Sequence, residues 1–146
     1  MAIGRYQGAA AMLRAWTKAH RLLARNIRPT ALASLRRKGV LRVRGGTSGA
    51  IYEISHSESV CIPGVCRLCV MVAANVPTAD VVLALALYIE HDEPRFLRTA
   101  NCIQVMAPDQ LARIRRKCGV NDYWEYRYLF GEVRARHERR ARSWNP

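Results

Sequence analysis

Four cysteines and one histidine in the middle of the chain have the residue types and spacing of a metal site. Cys61, Cys66 and Cys69 are separated by four and two residues, and Cys102 follows much later, which is similar to the spacing of a plant-type 2Fe–2S centre. The same group with His56 added could form a Cys3His zinc site. We favour a simpler interpretation, in which the cysteines are small buried side chains of predicted strands. We therefore expect the protein to need no metal or cofactor.

The chain has one cluster of carboxylates, at Glu90, Asp92 and Glu93, with Asp80 a few turns earlier. Nuclease metal sites use such carboxylates, but only His91 lies nearby in the sequence to support one. We interpret the cluster as the exposed polar end of a buried helix, with Asp92 capping the next helical segment. The sequence contains no nucleophile elbow and no phosphate-binding loop, so we expect a protein that is not an enzyme.

Positive charge is concentrated at the two ends of the chain. The 146 residues include 24 Lys and Arg against 11 Asp and Glu, a formal net charge of +13. Residues 1–52 hold eleven basic residues and no carboxylate, residues 53–106 have a net charge of −3, and residues 107–146 have a net charge of +5. Self-repulsion on this scale destabilises a compact state unless a partner offsets it. Arginine predominates, and its guanidinium binds phosphate in a bidentate manner.

The basic residues of the first third follow a helical spacing and then continue into the next elements. Five of them recur every three or four residues, which places them on one helix face, and no acid is available for pairing along that helix. A phosphate backbone is the natural counterpart of such a ridge. A second group of arginines lies near the C-terminus. The candidate nucleic-acid-binding residues are therefore Arg14, Lys18, Arg21, Arg25, Arg28, Arg36, Arg37, Lys38, Arg42, Arg44, Arg134, Arg136, Arg139 and Arg140.

Aromatic residues precede the C-terminal arginines, at Tyr123, Trp124, Tyr126, Tyr128 and Phe130. Aromatic side chains interleaved with arginine can stack on unpaired bases. We favour the alternative that the aromatics dock this segment on the core. The arginine-rich end is then either a phosphate-binding tail or a subunit contact.

Hydrophobic periodicity predicts the elements that position these residues. Residues 5–27 are predicted to form a long helix whose apolar face includes Leu13, Trp16 and Leu23, with Trp16 buried. A short helix over 31–38 follows, and Thr30 and Thr78 are predicted N-caps. The remaining predictions are strands at 40–43, 50–54, 60–62 and 68–73, and helices at 78–101 with a break at Pro94, at 108–118 and at 121–142.

These elements predict an α+β fold, with a small antiparallel β-sheet packed on a buried helix and long basic helices at both termini. The chain divides into basic N-terminal helices (residues 1–39), an α+β core (40–106) and a helical, arginine-rich C-terminal extension (107–146). Since no run of 18 apolar residues is present, no transmembrane helix and no membrane partner are expected. The odd number of cysteines, five, indicates a reducing compartment.

The middle of the chain carries a pattern of spaced residues. They are Val43-Arg44-Gly45, Gly49, Tyr52 and Ile54, then Leu68-Cys69, then Val76-Pro77, Asp80, Leu83-Ala84 and Leu87, and last Glu90, Asp92-Glu93, Phe96-Leu97 and Ala100-Asn101. In this pattern the chain resembles a family of small uncharacterised bacterial and phage proteins. The resemblance implies a fold module and a bacterial or phage origin, without assigned chemistry. A helix with Leu32-Ala33-Ser34-Leu35 is followed by Gly39, Val40, the glycine turn and Tyr52. In this pattern, residues 31–54 resemble the last helix and wing of a winged-helix DNA-binding domain.

These observations favour a non-enzymatic basic protein that binds DNA or RNA through backbone phosphates with little sequence specificity. The alternative is a structural or assembly protein of a phage particle or another large complex, whose terminal helices hold subunits together. The expected partners are therefore nucleic acid and other protein subunits. The expected location is the cytoplasm of a bacterium or the virion.

Overall fold

The structure, a computed structural model, describes residues 3–57, 59–70 and 76–120, with side chains from residue 9 onward. This part of the chain holds four helices and five strands, which confirms the predicted α+β class. The elements are α1 (Ile3–Asn26), α2 (Pro29–Lys38), β1 (Val40–Arg44), β2 (Ile51–Ser55), β3 (Val60–Ile62), β4 (Cys66–Cys69), α3 (Thr78–Thr99), β5 (Asn101–Val105) and α4 (Pro108–Lys117).

The five strands form one antiparallel sheet in the order β1-β2-β3-β4-β5. Each strand pairs with its neighbour in sequence, and α3 lies between β4 and β5 along the chain. Side chains alternate across the sheet, so that Leu41 and Val43 of β1 are buried while Arg42 and Arg44 are exposed. One face of β1 therefore contributes to the core and the other carries charge.

Helix α3 packs on the buried side chains of the sheet and bends in its second half. Phe96 meets Tyr52 of β2 edge-on, with ring centroids 5.8 Å apart. The bend lies at Asp92, whose φ and ψ are −145° and 53°. Pro94 has no N–H to donate to the preceding turn, and the Oδ1 atom of Asp92 accepts the N–H of Arg95 at 3.3 Å. The predicted break at Pro94 and the predicted cap at Asp92 are both confirmed.

Buried side chains from the outer helices join the same hydrophobic cluster as the sheet and α3. Ala19 and Leu23 come from α1, Leu35 comes from α2, and Leu111 comes from α4. Residues from all three predicted segments of the chain therefore contribute to one core.

One strand is missing from the sequence prediction. The pattern ends a helix at Asn101 and assigns no strand after it, whereas residues 101–105 form β5 at the edge of the sheet. The pairing of β5 with β4 shifts register between Arg67 and Leu68. Because such a bulge breaks the alternation of buried and exposed residues, β5 carries no period-two signal. The predicted fourth strand, at residues 68–73, begins earlier than predicted, since β4 spans Cys66–Cys69. Residues 71–73 of that prediction lie outside the described residues.

The two predicted threonine caps are wrong. Thr30 lies inside α2, which begins at Pro29, and Thr78 is the first residue of α3. The positions before these helices are Arg28 and Pro77, and neither makes a side-chain cap hydrogen bond. Proline at the first helical position explains the start of α2, because its fixed φ already suits a helix.

Among its described side chains, which begin at residue 9, helix α1 packs on the core through its second half. The buried ones are Ala19 and Leu23, while Leu13 is 70% exposed and Trp16 is 42% exposed. The predicted apolar face is therefore correct near Leu23 and wrong near Leu13, because residues 9–18 are exposed throughout. The predicted helix at 121–142 lies outside the described residues, so the prediction of long basic helices at both termini is not confirmed.

Candidate functional site

The basic residues of α1 lie away from the face by which this helix packs on the core. Arg14, Lys18, Arg21 and Arg25 are all exposed. At about 100° per residue, they lie roughly 100° to 160° around the helix from the buried residue Ala19. One face of α1 therefore packs on the core, and a different face carries the exposed cations.

The cationic surface continues through the next two elements. Arg28 is exposed between α1 and α2, and Arg36, Arg37 and Lys38 occupy the last turn of α2. Cations in a last helical turn also stabilise the helix, because they offset the negative end of its dipole. The three residues at the end of α2 thus have a structural role as well as a candidate binding role.

Two more candidate cations project from the exposed face of β1, and one of them is paired. Arg42 forms an ion pair with Glu53 on β2, with 2.8 Å between Nη2 and Oε1. It is the only ion pair among the residues that the structure describes. Arg44 lies across from Ile51 instead, so no carboxylate faces it from β2. The N-terminal candidate residues are therefore an exposed surface with little internal neutralisation.

The structure adds a basic group that the sequence prediction does not include. Arg113, Arg116 and Lys117 of α4 are exposed, whereas Arg115 donates from Nη1 to the carbonyl of Leu97 at 3.3 Å. The net positive charge of residues 107–146 is the sequence signal for this group, but the prediction assigns that charge to the arginines further along the chain. The candidates Arg134, Arg136, Arg139 and Arg140, and the aromatic residues at 123–130, lie outside the described residues.

A groove of about 660 Å³ lies between the α1–α2 junction, the strand β1 and α3. Arg28, Arg42 and Arg44 line it together with aliphatic side chains such as Ile27 and Leu87. Glu90 is the one carboxylate among its described lining residues. The lining of the groove is therefore part aliphatic and part charged, with cations in excess, which suits an anionic ligand with apolar parts.

The carboxylates of the acidic cluster do not converge on one point. Asp92 caps the second segment of α3, Glu90 is exposed in the groove, and Glu93 is fully buried. Among the described residues, no group of three or more His, Cys, Asp or Glu side chains is placed to hold a metal ion. The prediction that the whole cluster is an exposed polar end is wrong for Glu93.

Glu93 binds the turn between β1 and β2. Its carboxylate accepts the N–H groups of Thr47 at 2.9 Å and Ser48 at 2.7 Å, the Ser48 hydroxyl, and the Tyr52 hydroxyl at 2.7 Å. Burial alone raises the pKa of Glu93, but the hydrogen bonds from Ser48, Tyr52 and Thr47 outweigh it, and the pKa lies below its usual value. An ionised, fully hydrogen-bonded carboxylate here fixes the hairpin. It has no free position for a substrate.

The cysteines are not brought together as a ligand set. Cys66 is buried and Cys69 is exposed on the same short strand. A hydrogen bond with the thiol of Cys102, together with burial, raises the pKa of the Cys66 thiol. Burial and the neighbouring Glu93 carboxylate raise the pKa of Cys118 to about 11. Protonated thiols of this kind are weak nucleophiles and weak metal ligands at neutral pH.

Comparison of the chain with protein-family models, with characterised proteins and with solved structures finds no match. The resemblances at residues 43–101 and 31–54 therefore stay predictions. None of the described helices is both long enough and apolar enough to cross a membrane.

Proposed function

We propose that this protein binds DNA or RNA through backbone phosphates, with little sequence preference and without catalysis. The observation that carries the proposal is the exposed row of Arg14, Lys18, Arg21 and Arg25 on α1. These cations are held on a helix whose other face is anchored in the core by Ala19 and Leu23. A row of cations along one helix is suited to the regular charge of a phosphate backbone.

The charge distribution supports a polyanion rather than a small anion. The cations run from α1 to Arg28, then to the end of α2 and to β1, and of these described cations Arg42 is the one in an ion pair. A small anion would need convergent donors in one pocket, whereas this surface spreads its donors over several elements. We place the protein in the bacterial cytoplasm or in a virion, where nucleic acid is at hand.

The experiment is a salt titration of binding to fluorescein-labelled duplex DNA, single-stranded DNA and RNA of equal length. If about five phosphates are contacted, log K falls with log salt with a slope of roughly −4 to −5. Replacing Arg14, Lys18, Arg21 and Arg25 with Gln reduces the magnitude of that slope by about 0.9 for each phosphate that is no longer neutralised. An affinity that does not change with salt contradicts the proposal.

A matched control removes exposed arginines elsewhere on the protein. Arg67, Arg95 and Arg98 are exposed and lie on β4 and α3, away from the candidate surface in sequence. Their replacement with Gln lowers the net charge by three but is expected to leave the salt slope unchanged. An equal reduction of the slope in the two variants would show that only net charge matters, and that α1 is not the binding surface.

A second candidate function is assembly into a large complex such as a phage particle. It is favoured by apolar side chains on the first half of α1, where Met12 is 64% exposed and Leu13 is 70% exposed. Exposed apolar patches of this kind often mark protein contacts. Mass measurement by light scattering distinguishes this function, since Leu13→Glu would then lower the oligomer mass without changing the salt slope of nucleic-acid binding.

A further inference from the structure

The outer edge of β1 presents free backbone groups. Two hydrogen bonds fix the phase of the β1–β2 ladder. The N–H of Gly45 donates to the carbonyl of Ala50, and the N–H of His56 donates to the carbonyl of Gly39, so both are hydrogen-bonded pairs. Because such pairs alternate with non-bonded pairs in an antiparallel ladder, the backbone groups of Arg42 and Arg44 point away from β2. Since β1 is the first strand of the sheet, no strand pairs with them among the described residues.

The groove described above lies along this free edge. Leu41, Arg42, Val43 and Arg44 all line it, and α3 contributes Leu87 from the opposite side. An edge of five residues is roughly 17 Å long at about 3.4 Å per residue. The groove therefore offers one wall with backbone donors and acceptors and another wall with aliphatic side chains.

The pairing of β1 with β2 shows which side chains suit the arginines of β1. Glu53 on β2 lies directly across from Arg42 and forms the 2.8 Å ion pair. Arg44 lies across from Ile51 and has no carboxylate on that side. A strand added on the free side would bring side chains opposite both arginines, and opposite-charge pairs across strands are stabilising.

We propose that the groove along β1 binds an extended acidic peptide segment of a partner protein, which adds a sixth strand next to β1. Alternate residues of the segment face Arg42 and Arg44 and are acidic, while the intervening residues face α3 and are aliphatic. This interaction is separate from phosphate binding by α1. Charge favours this occupant: three arginines line the groove against Glu90, and a second copy of β1 would set arginine against arginine.

The groove is less suited to nucleic acid than to a peptide strand. Unpaired bases bind by stacking on aromatic side chains, and none of the described lining residues is aromatic. Free N–H and C=O groups in a row at strand spacing match another strand, whereas a phosphate backbone carries acceptors only. The edge geometry and the lining therefore select a peptide.

The test uses the full chain labelled with 15N and a soluble eight-residue peptide of alternating glutamate and valine as the probe. Hydrogen exchange is read at single amides. Peptide binding is expected to slow exchange at Arg42 and Arg44 by about tenfold or more, while the amides of Leu41 and Val43 are already protected by β2. The same peptide with lysine in place of glutamate is expected not to bind.

Variants of Arg44 separate the charge from the backbone group. Arg44→Gln removes only the cation and is expected to weaken peptide binding by up to about fivefold, in the range of an opposite-charge cross-strand pair. Arg44→Pro removes the outward N–H as well, which an edge strand tolerates, and is expected to weaken binding further. Arg95→Gln is the control and leaves binding unchanged.

Two outcomes overturn the proposal. One is that the peptide does not slow hydrogen exchange at the amides of Arg42 and Arg44, whether or not it binds elsewhere on the protein. The other is protection of these amides by a single-stranded oligonucleotide and not by the peptide, which would assign the groove to nucleic acid. If Arg44→Pro fails to fold, the exchange data of the unaltered protein and the Arg44→Gln variant decide the question. A normal salt slope for DNA with no peptide effect would reject this inference and leave the proposed function in place.

Discussion

Tyr52 donates its hydroxyl to the carboxylate of Glu93 across 2.7 Å, and this contact joins β2 to the second segment of α3 inside the core. The same carboxylate holds the turn through Thr47 and Ser48, which lie 46 and 45 residues earlier in the chain. The hairpin that carries Arg42 and Arg44 is thus fixed at its turn by a residue of α3.

Removing the hydroxyl of Tyr52 is expected to destabilise the protein by about 1.5–3 kcal/mol, because the folded state then lacks a buried hydrogen bond to a charged group. Glu93→Gln is expected to cost more, since the amide turns a donor toward the N–H groups of Thr47 and Ser48. Urea unfolding of Tyr52→Phe and Glu93→Gln measures both. Equal stability of Glu93→Gln and the unaltered protein would contradict the role assigned to this carboxylate.

The stability of the protein is expected to fall in acid because of Glu93. Its pKa in the folded protein lies below the unfolded value, which is about 4.3. The stabilisation by ionised Glu93 is therefore present above about pH 4.3 and disappears as the pH falls through the folded pKa. Urea unfolding at several pH values tests this. Glu93→Gln should lose part of the acid dependence, whereas the control Glu90→Gln, at an exposed side chain, should keep it.

The buried position of Glu93 shows why the sequence predicts helices and strands better than it predicts long-range side-chain contacts. The strands β1 to β3, the turn at residues 45–49 and the break at Pro94 follow from local patterns and are predicted correctly. Burial of Glu93 depends on donors about 45 residues away, and an acid among acids near a helix end has the local pattern of an exposed residue. The strand β5 escapes prediction for a similar reason, since its pairing contains a bulge.

Gly46→Ala is expected to be far more damaging than Gly64→Ala. A Cβ atom on Gly46 would overlap the backbone carbonyl oxygen of Glu90, whereas nothing lies within 4 Å of a Cβ on Gly64. Gly64 has a φ of +71°, so its replacement should cost about 1–2 kcal/mol through conformation alone. Gly46→Ala must move α3 against the turn and should cost at least about twice as much. Thermal unfolding compares the two variants, and a similar melting temperature for both would refute the close approach.

Two residues of α1, Leu23 and Trp16, are expected to differ sharply in their effect on stability. Leu23 is 2% exposed and Trp16 is 42% exposed. Leu23→Ala should therefore cost about 2–5 kcal/mol, while Trp16→Ala should cost less than the roughly 3–5 kcal/mol of a buried aromatic residue. Chemical unfolding measures both. A larger destabilisation by Trp16→Ala would show that a partner or another part of the chain covers that side chain.

Chelation is expected to leave the fold intact. The described residues hold no group of three metal-ligating side chains, and one hydrophobic cluster spans the sheet and all four helices. Melting followed by circular dichroism, with and without EDTA, and elemental analysis of the purified protein test this. One zinc or two irons per chain would contradict this prediction and favour Cys61, Cys66 and Cys69 as metal ligands.

The sequence predicts which basic residues form the candidate site, but it does not predict the groove beside them. Spacing alone places Arg14, Lys18, Arg21 and Arg25 on one helix face, and their exposure follows from their position away from Ala19. The groove beside β1 could not be predicted, because it requires α3 to lie next to Arg44, and α3 comes more than 30 residues later in the chain. Long-range packing of this kind leaves no local periodic signal.

The sheet order has a consequence for the rate and sequence of folding. The first four strands pair with their sequence neighbours across short connections, and short loops close at little entropic cost. The contact between Thr47 and Glu93 spans 46 residues and closes a much longer loop. We expect Tyr52→Phe to accelerate unfolding and barely slow refolding in stopped-flow measurements. The contacts of the Glu93 carboxylate with the hairpin would then form after the folding transition state, and their effect would be to slow unfolding.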